Sequence, residues 1–241
     1  MCGKNHSVYT MMKEVNPKLI LPEFTCHSLH LACSEATGSL PANIEFHVRE
    51  SYNWFSCSPK RQQQYRSIYF AINEENPLKL VGMSSTRWFS VTAAVSQVLE
   101  QWNELKLHFE IAESVERCYT ARLLHGMFKD EKNNLYMLLV KPNVIEFDRV
   151  NRLFRSEKPN SSKLFEDMDL LERSMQCKTV LSEHAFPTVE WEKHLLHVRA
   201  CAFGTVFLDA FHKSSLSDDE KDGRLDRCRM YPVACVRSLL R

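Results

Sequence analysis

Apolar positions recur along most of this chain with the spacing of amphipathic helices. The pattern is weak at the start, where Val8, Met11, Met12 and Val15 share a face over residues 6–15 and Asn16-Pro17 ends the run. Leu19-Ile20-Leu21 then predicts a short buried strand, with Pro22 confined to a sheet edge or to the strand's last residues. From His27 the helical spacing returns at Leu29, Ala32, Cys33 and Ala36, stopped by Gly38 and Pro41. Residues 43–57 place Ile44, Val48, Tyr52 and Phe55 on one face. Ser58-Pro59 supplies an N-cap and a first-position proline for the next helix, which carries Tyr65, Ile68, Tyr69 and Ile72.

A connection at 76–85, with an extended piece expected at 78–83, leads to the strongest pattern. Residues 90–113 hold Ala94, Val95, Val98, Trp102, Leu105 and Phe109 in register. Further helices are expected at 115–128, 135–140, 143–154 and 163–177, punctuated by Pro142, Pro159 and Pro187. Beyond Pro187 the pattern predicts one helix over 191–211, kinked near Gly204, and a charged helix over 216–229. Pro232 argues against a clean final helix. The expected class is mainly α, with a strand stub near the N-terminus.

Composition narrows the function classes. The 241 residues suffice for one or two domains, and the six glycines are too few for a turn-rich barrel or sandwich. A net charge of +1 means that any nucleic-acid contact must be local. Nine cysteines, odd in number and without a CxxC pair, read as reduced small hydrophobes. Residues 1–17 lack the apolar core of a secretion signal, and no run approaches the roughly 18 apolar residues of a membrane span. No membrane partner and no cofactor are expected.

The first aspartate in the chain is Asp130. Two-metal phosphoryl transfer needs converging carboxylates, and the candidates are Glu23, Asp167 and Asp169. The two aspartates differ by two positions and point to different sides of a helix. No catalytic residues are therefore assigned, and enzymatic activity is not expected. Cys26, His30 and Cys33 fall at i, i+4 and i+7, one helix face, but a structural zinc site usually takes four ligands and no second pair is suitably spaced. Packing is the reading for this element, with His27 hydrogen-bonded at a strand–helix junction. Trp88 after Arg87 at a helix start can stack on a base while the guanidinium reaches phosphate, and the competing role is a core anchor. Lys60, Arg61 and Arg66, beside Gln62, Gln63, Gln64 and Tyr65, form a face that could track a phosphate backbone or simply be solvated. Trp54 and Trp102 lie on apolar faces and are expected in the core.

Phe24-Thr25-Cys26-His27 and Ser28-Leu29-His30-Leu31, followed by Thr86-Arg87-Trp88, resemble the core of hAT-superfamily transposases and the host proteins derived from them. The resemblance runs from about Gly3 to about Cys177 and fades after Ser182. It implies an RNase H-like sheet interrupted by a large helical insertion. His27 then matches the histidine of the family's Cys-x-x-His element, Phe24 stands where that element has its cysteine, and Trp88 matches the tryptophan that stacks on an unpaired base. The family's two catalytic aspartates would lie upstream of Met1. On this resemblance, residues 1–36 are a partial RNase H-like core, 37–185 an all-helical insertion-like domain, and 186–241 a weakly matched helical segment. The implied function is that of a domesticated, catalytically inactive nuclear factor associated with DNA. The other reading is a helical module for protein partners or self-association.

Overall fold

Local signals set many of the helix boundaries. The computed structural model describes residues 8–16, 25–40, 43–82, 89–154, 161–180 and 190–239. Helices α1 (Val8–Val15) and α2 (Thr25–Gly38) come first. Asn43 opens α3 (Ile44–Ser56), its side chain accepting the Phe46 N–H at 2.9 Å. Ser58 caps α4 (Pro59–Asn73) by accepting the Arg61 N–H at 3.4 Å. Glu74 then turns the chain at φ 59°, a left-handed cap where glycine is more usual. Residues 74–82 return without regular structure.

The strongest pattern divides in two. Instead of one helix over 90–113 there are α5 (Phe89–Glu100) and α6 (Trp102–Glu116), parted at Gln101. The Gln101 amide is fully buried there. Its Nε2 donates to the carbonyls of Leu78 and Gln97, each at 3.2 Å, and its Oε1 accepts the Tyr65 hydroxyl at 3.0 Å. Apolar periodicity does not register such a side-chain network. α7 (Tyr119–Lys129) follows. The helices expected at 135–140 and 143–154 are one, α8 (Glu131–Phe154), running through Pro142. Pro142 is exposed, so the carbonyl that it leaves unpaired can meet water, while buried Leu139, Val140 and Val144 hold the helix to the core.

α9 (Ser161–Cys177) fits its expectation, but the segment after Pro187 does not. Short 3-10 turns at Trp191–His194 and Val198–Ala200 precede α10 (Thr205–Lys213). An isolated antiparallel bridge joins Val180 to Leu195. Here Leu196 N–H donates to Thr179 C=O at 2.7 Å, drawing the chain out of helix. α11 (Asp218–Leu239) continues through Pro232, which lies buried among Tyr231, Val233 and Cys235, so packing outweighs the lost hydrogen bond.

The architecture is mainly α, and no strand occurs among the described residues. The expected strand at Leu19-Ile20-Leu21 lies outside them. One core cluster joins all three expected segments, with Cys33 of α2, Phe109 of α6 and Tyr231 of α11 among its members. α11 packs along α2 and α9, and the Cys33 Sγ sits 3.8 Å from the Tyr231 hydroxyl across 198 positions of sequence. Trp54 and Trp102 are both core residues. No described helix is long and apolar enough to cross a membrane.

Candidate functional site

The basic face of α4 divides into residues that bind the fold and residues that leave it. Arg61 lies flat on Trp54, its guanidinium carbon 3.5 Å from the ring centroid. It also grips Glu116 of α6 in a two-pronged pair, Nη2–Oε2 2.7 Å and Nε–Oε1 3.3 Å. That guanidinium braces α4 against α3 and α6. Gln62 donates to the Phe55 carbonyl at 2.9 Å, and Tyr65 is buried. Lys60, Gln63, Gln64 and Arg66 project into solvent.

Arg66 stands at a cleft of about 310 Å³ between α3, α4 and the returning chain. Its lining includes Tyr52, Phe55, Gln62, Leu78 and Lys79, and no carboxylate is among its described lining residues. Two cations, one amide and the half-buried ring of Tyr52 thus meet in a concave site. The returning chain is held on both sides. Gln101 binds Leu78, and Val81 N–H donates to Gln97 Oε1 at 2.9 Å. At Gly82 the backbone lies so close to Tyr52 that an added Cβ would fall 2.7 Å from Cε1. Gly82→Ala is therefore expected to displace the Tyr52 ring and cost about 1–3 kcal/mol, read as a lower denaturation midpoint. An unchanged midpoint would show that the ring yields freely.

Arg87 and Trp88 lie outside the described residues. They follow Gly82 by five and six positions in the sequence. Cys26, His27 and His30 fall within the first turns of α2, and their side chains are outside the description. Cys33, on the same helix, is buried, and that burial pushes its thiol up to about 12. Asp167 pairs with Arg149 at 2.8 Å and Asp169 with Arg173 at 2.8 Å. These carboxylates answer to arginines and do not suit the paired divalent ions of transposase chemistry. Among the described residues no three His, Cys, Asp or Glu side chains gather as a metal site.

Lys79 is the site residue that motif reading missed, because nothing in the 76–85 connection marks a lone lysine as facing the α4 arginine. Two buried histidines were missed as well. His108 Nε2 accepts the Trp54 indole N–H at 3.0 Å, and burial lowers its pKa to about 4. His47 packs edge-on against Phe128, centroids 4.4 Å apart, with both ring nitrogens unpartnered, and burial lowers its pKa to about 3. Their places three residues after Ile44 and Leu105 were the available signal.

No family model, curated protein or solved structure matches this chain.

Proposed function

We propose that this chain is a catalytically silent, hAT-transposase-derived nuclear protein that binds an unpaired end or flap of DNA without cutting it. The observation that carries this reading is the cleft that joins Arg66 and Lys79 with Gln62 and the ring of Tyr52, with no carboxylate among its described lining residues. Phosphate attracts the two cations, and an exposed base finds an aromatic edge. The resemblance around His27 and Trp88 supports the same class of ligand.

A single-stranded or flapped DNA oligonucleotide tests the reading. Arg66→Ala combined with Lys79→Ala is expected to weaken binding at low salt about tenfold, and Trp88→Ala by a similar factor. The Arg61→Ala change is expected to act mainly on stability, because its guanidinium is engaged with Trp54 and Glu116. Equal affinities for the wild-type chain, the Arg66/Lys79 double variant and Trp88→Ala would refute the site.

A protein-interaction role has its own support. Leu107, Ile111 and Val115 recur every four residues on α6 and are exposed, and Ile72 of neighbouring α4 is 52 % exposed. Glu75, Glu100 and Glu104 surround Tyr69 at one end of that seam. Such a surface suits an amphipathic helix with basic residues at one end. Binding of a synthetic helix of that kind, together with no DNA binding at low salt, would favour this role.

A further inference from the structure

A second cleft, of about 440 Å³, opens where α5, α6, α7, α8 and the end of α10 converge, and shares no lining residue with the first. At its base lie Trp102 and Phe128, ring centroids 4.8 Å apart and both largely buried, flanked by the partly exposed Leu99 and Leu138. Its rim carries two ammonium groups from different elements, Lys106 of α6 and Lys213 at the last turn of α10. Neither lysine forms an ion pair with a described residue.

Among the described lining residues Glu131 is the one carboxylate, and one of its oxygens is already engaged. Its Oε2 accepts the Ser215 N–H at 3.4 Å and the Ser215 hydroxyl at 3.2 Å. This contact fastens the chain just beyond α10 to the start of α8, and so keeps Lys213 over the cleft. The lining amides of Asn103 and Asn134 add further hydrogen-bonding groups. An apolar base with cations at its edge that pair with no described residue is complementary to a molecule that is apolar at one end and anionic at the other. Burying an apolar body supplies most of the affinity, while the ammonium groups fix orientation and sign of charge.

We propose that this cleft binds an amphipathic organic carboxylate, its apolar body against Trp102 and Phe128 and its carboxylate at Lys106 and Lys213. The site stands apart from DNA binding, so either can fail without the other.

The probe is 2-naphthoate, with 2-naphthylmethanol as its neutral counterpart, titrated into the full chain by calorimetry. Naphthoate is expected to bind more tightly than the alcohol. Lys106→Gln and Lys213→Gln, both surface changes that should leave the thermal midpoint in place, are expected to weaken naphthoate about fivefold each and leave the alcohol unaffected. Arg66→Ala combined with Lys79→Ala is expected to bind naphthoate as the wild type does. Equal affinity for acid and alcohol, insensitivity to both lysine changes, or no saturable binding at millimolar naphthoate would each overturn the proposal.

Discussion

Acidification from pH 7 to 4.5 is expected to remove about 5 kcal/mol of folding stability, through two histidines alone. His47 and His108 carry pKa values of about 3 and 4 in the folded protein, both lowered by burial from the ordinary 6.5. The unfolded chain binds protons at both rings once the pH falls below 6.5, and the folded chain does not. Stability is therefore full above that value and falls steadily down to the folded pKa values. Each pH unit costs about 1.4 kcal/mol per histidine in that window. Against a usual total of about 5–15 kcal/mol, this is enough to unfold a marginal domain. Guanidinium denaturation at a series of pH values reads it directly. A midpoint that stays level between pH 7 and 5 would mean that both rings are hydrated or paired.

The His47→Leu variant separates the two contributions. Both His47 nitrogens lack partners, so an apolar side chain of similar volume removes a buried polar cost as well as a titrating group. The variant is expected to be more stable than wild type at pH 7 by about 1 kcal/mol, with about half the acid sensitivity. Loss of stability at pH 7 would instead assign His47 an essential packing role against Trp102 and Phe128.

The Phe109→Ala change is expected to cost about 3–5 kcal/mol, the largest effect of any single substitution proposed for this chain. Phe109 is fully buried and stacks on Phe128, with centroids 5.3 Å apart. It also meets Trp54 at 5.6 Å and Phe55 at 5.9 Å. Those rings belong to α3 and α7, so the cavity would open where three helices meet and could not close by moving one of them. The same wall supports Arg61 through Trp54 and the cleft through Phe55. Cleft binding is therefore expected to weaken along with stability. A variant that melts within about 1 kcal/mol of wild type would show that the core collapses into the gap.

Helix α3 was legible from periodicity alone, and α4 because capping and periodicity agree there: Ser58 and Pro59 mark the start that Tyr65 confirms. The division at Gln101 was not, since a buried amide that bonds Tyr65 and Leu78, both remote in sequence, leaves no trace in apolar spacing. Pro142 and Pro232 misled in the other direction. Proline disfavours a helix interior locally, but the packing of Val144 and Val233 is decided by tertiary contacts that no window contains. The site was half legible. Arg66 belonged to a recognisable basic face, whereas Arg61 looked identical in sequence and proved to be sequestered by Trp54 and Glu116. Lys79 reaches the cleft only because Glu74 reverses the chain and Gly82 rests on Tyr52.

The salt dependence of binding to a single-stranded flap is the most direct measurement of the central claim. Each phosphate neutralised by a cation contributes about −0.7 to the slope of log affinity against log salt for single strands. Wild-type protein is expected to give a clearly negative slope, and the Arg66→Ala, Lys79→Ala double variant one shallower by about 1.4. Identical slopes for the two proteins, or no binding at low salt, would contradict the assignment of this cleft to DNA.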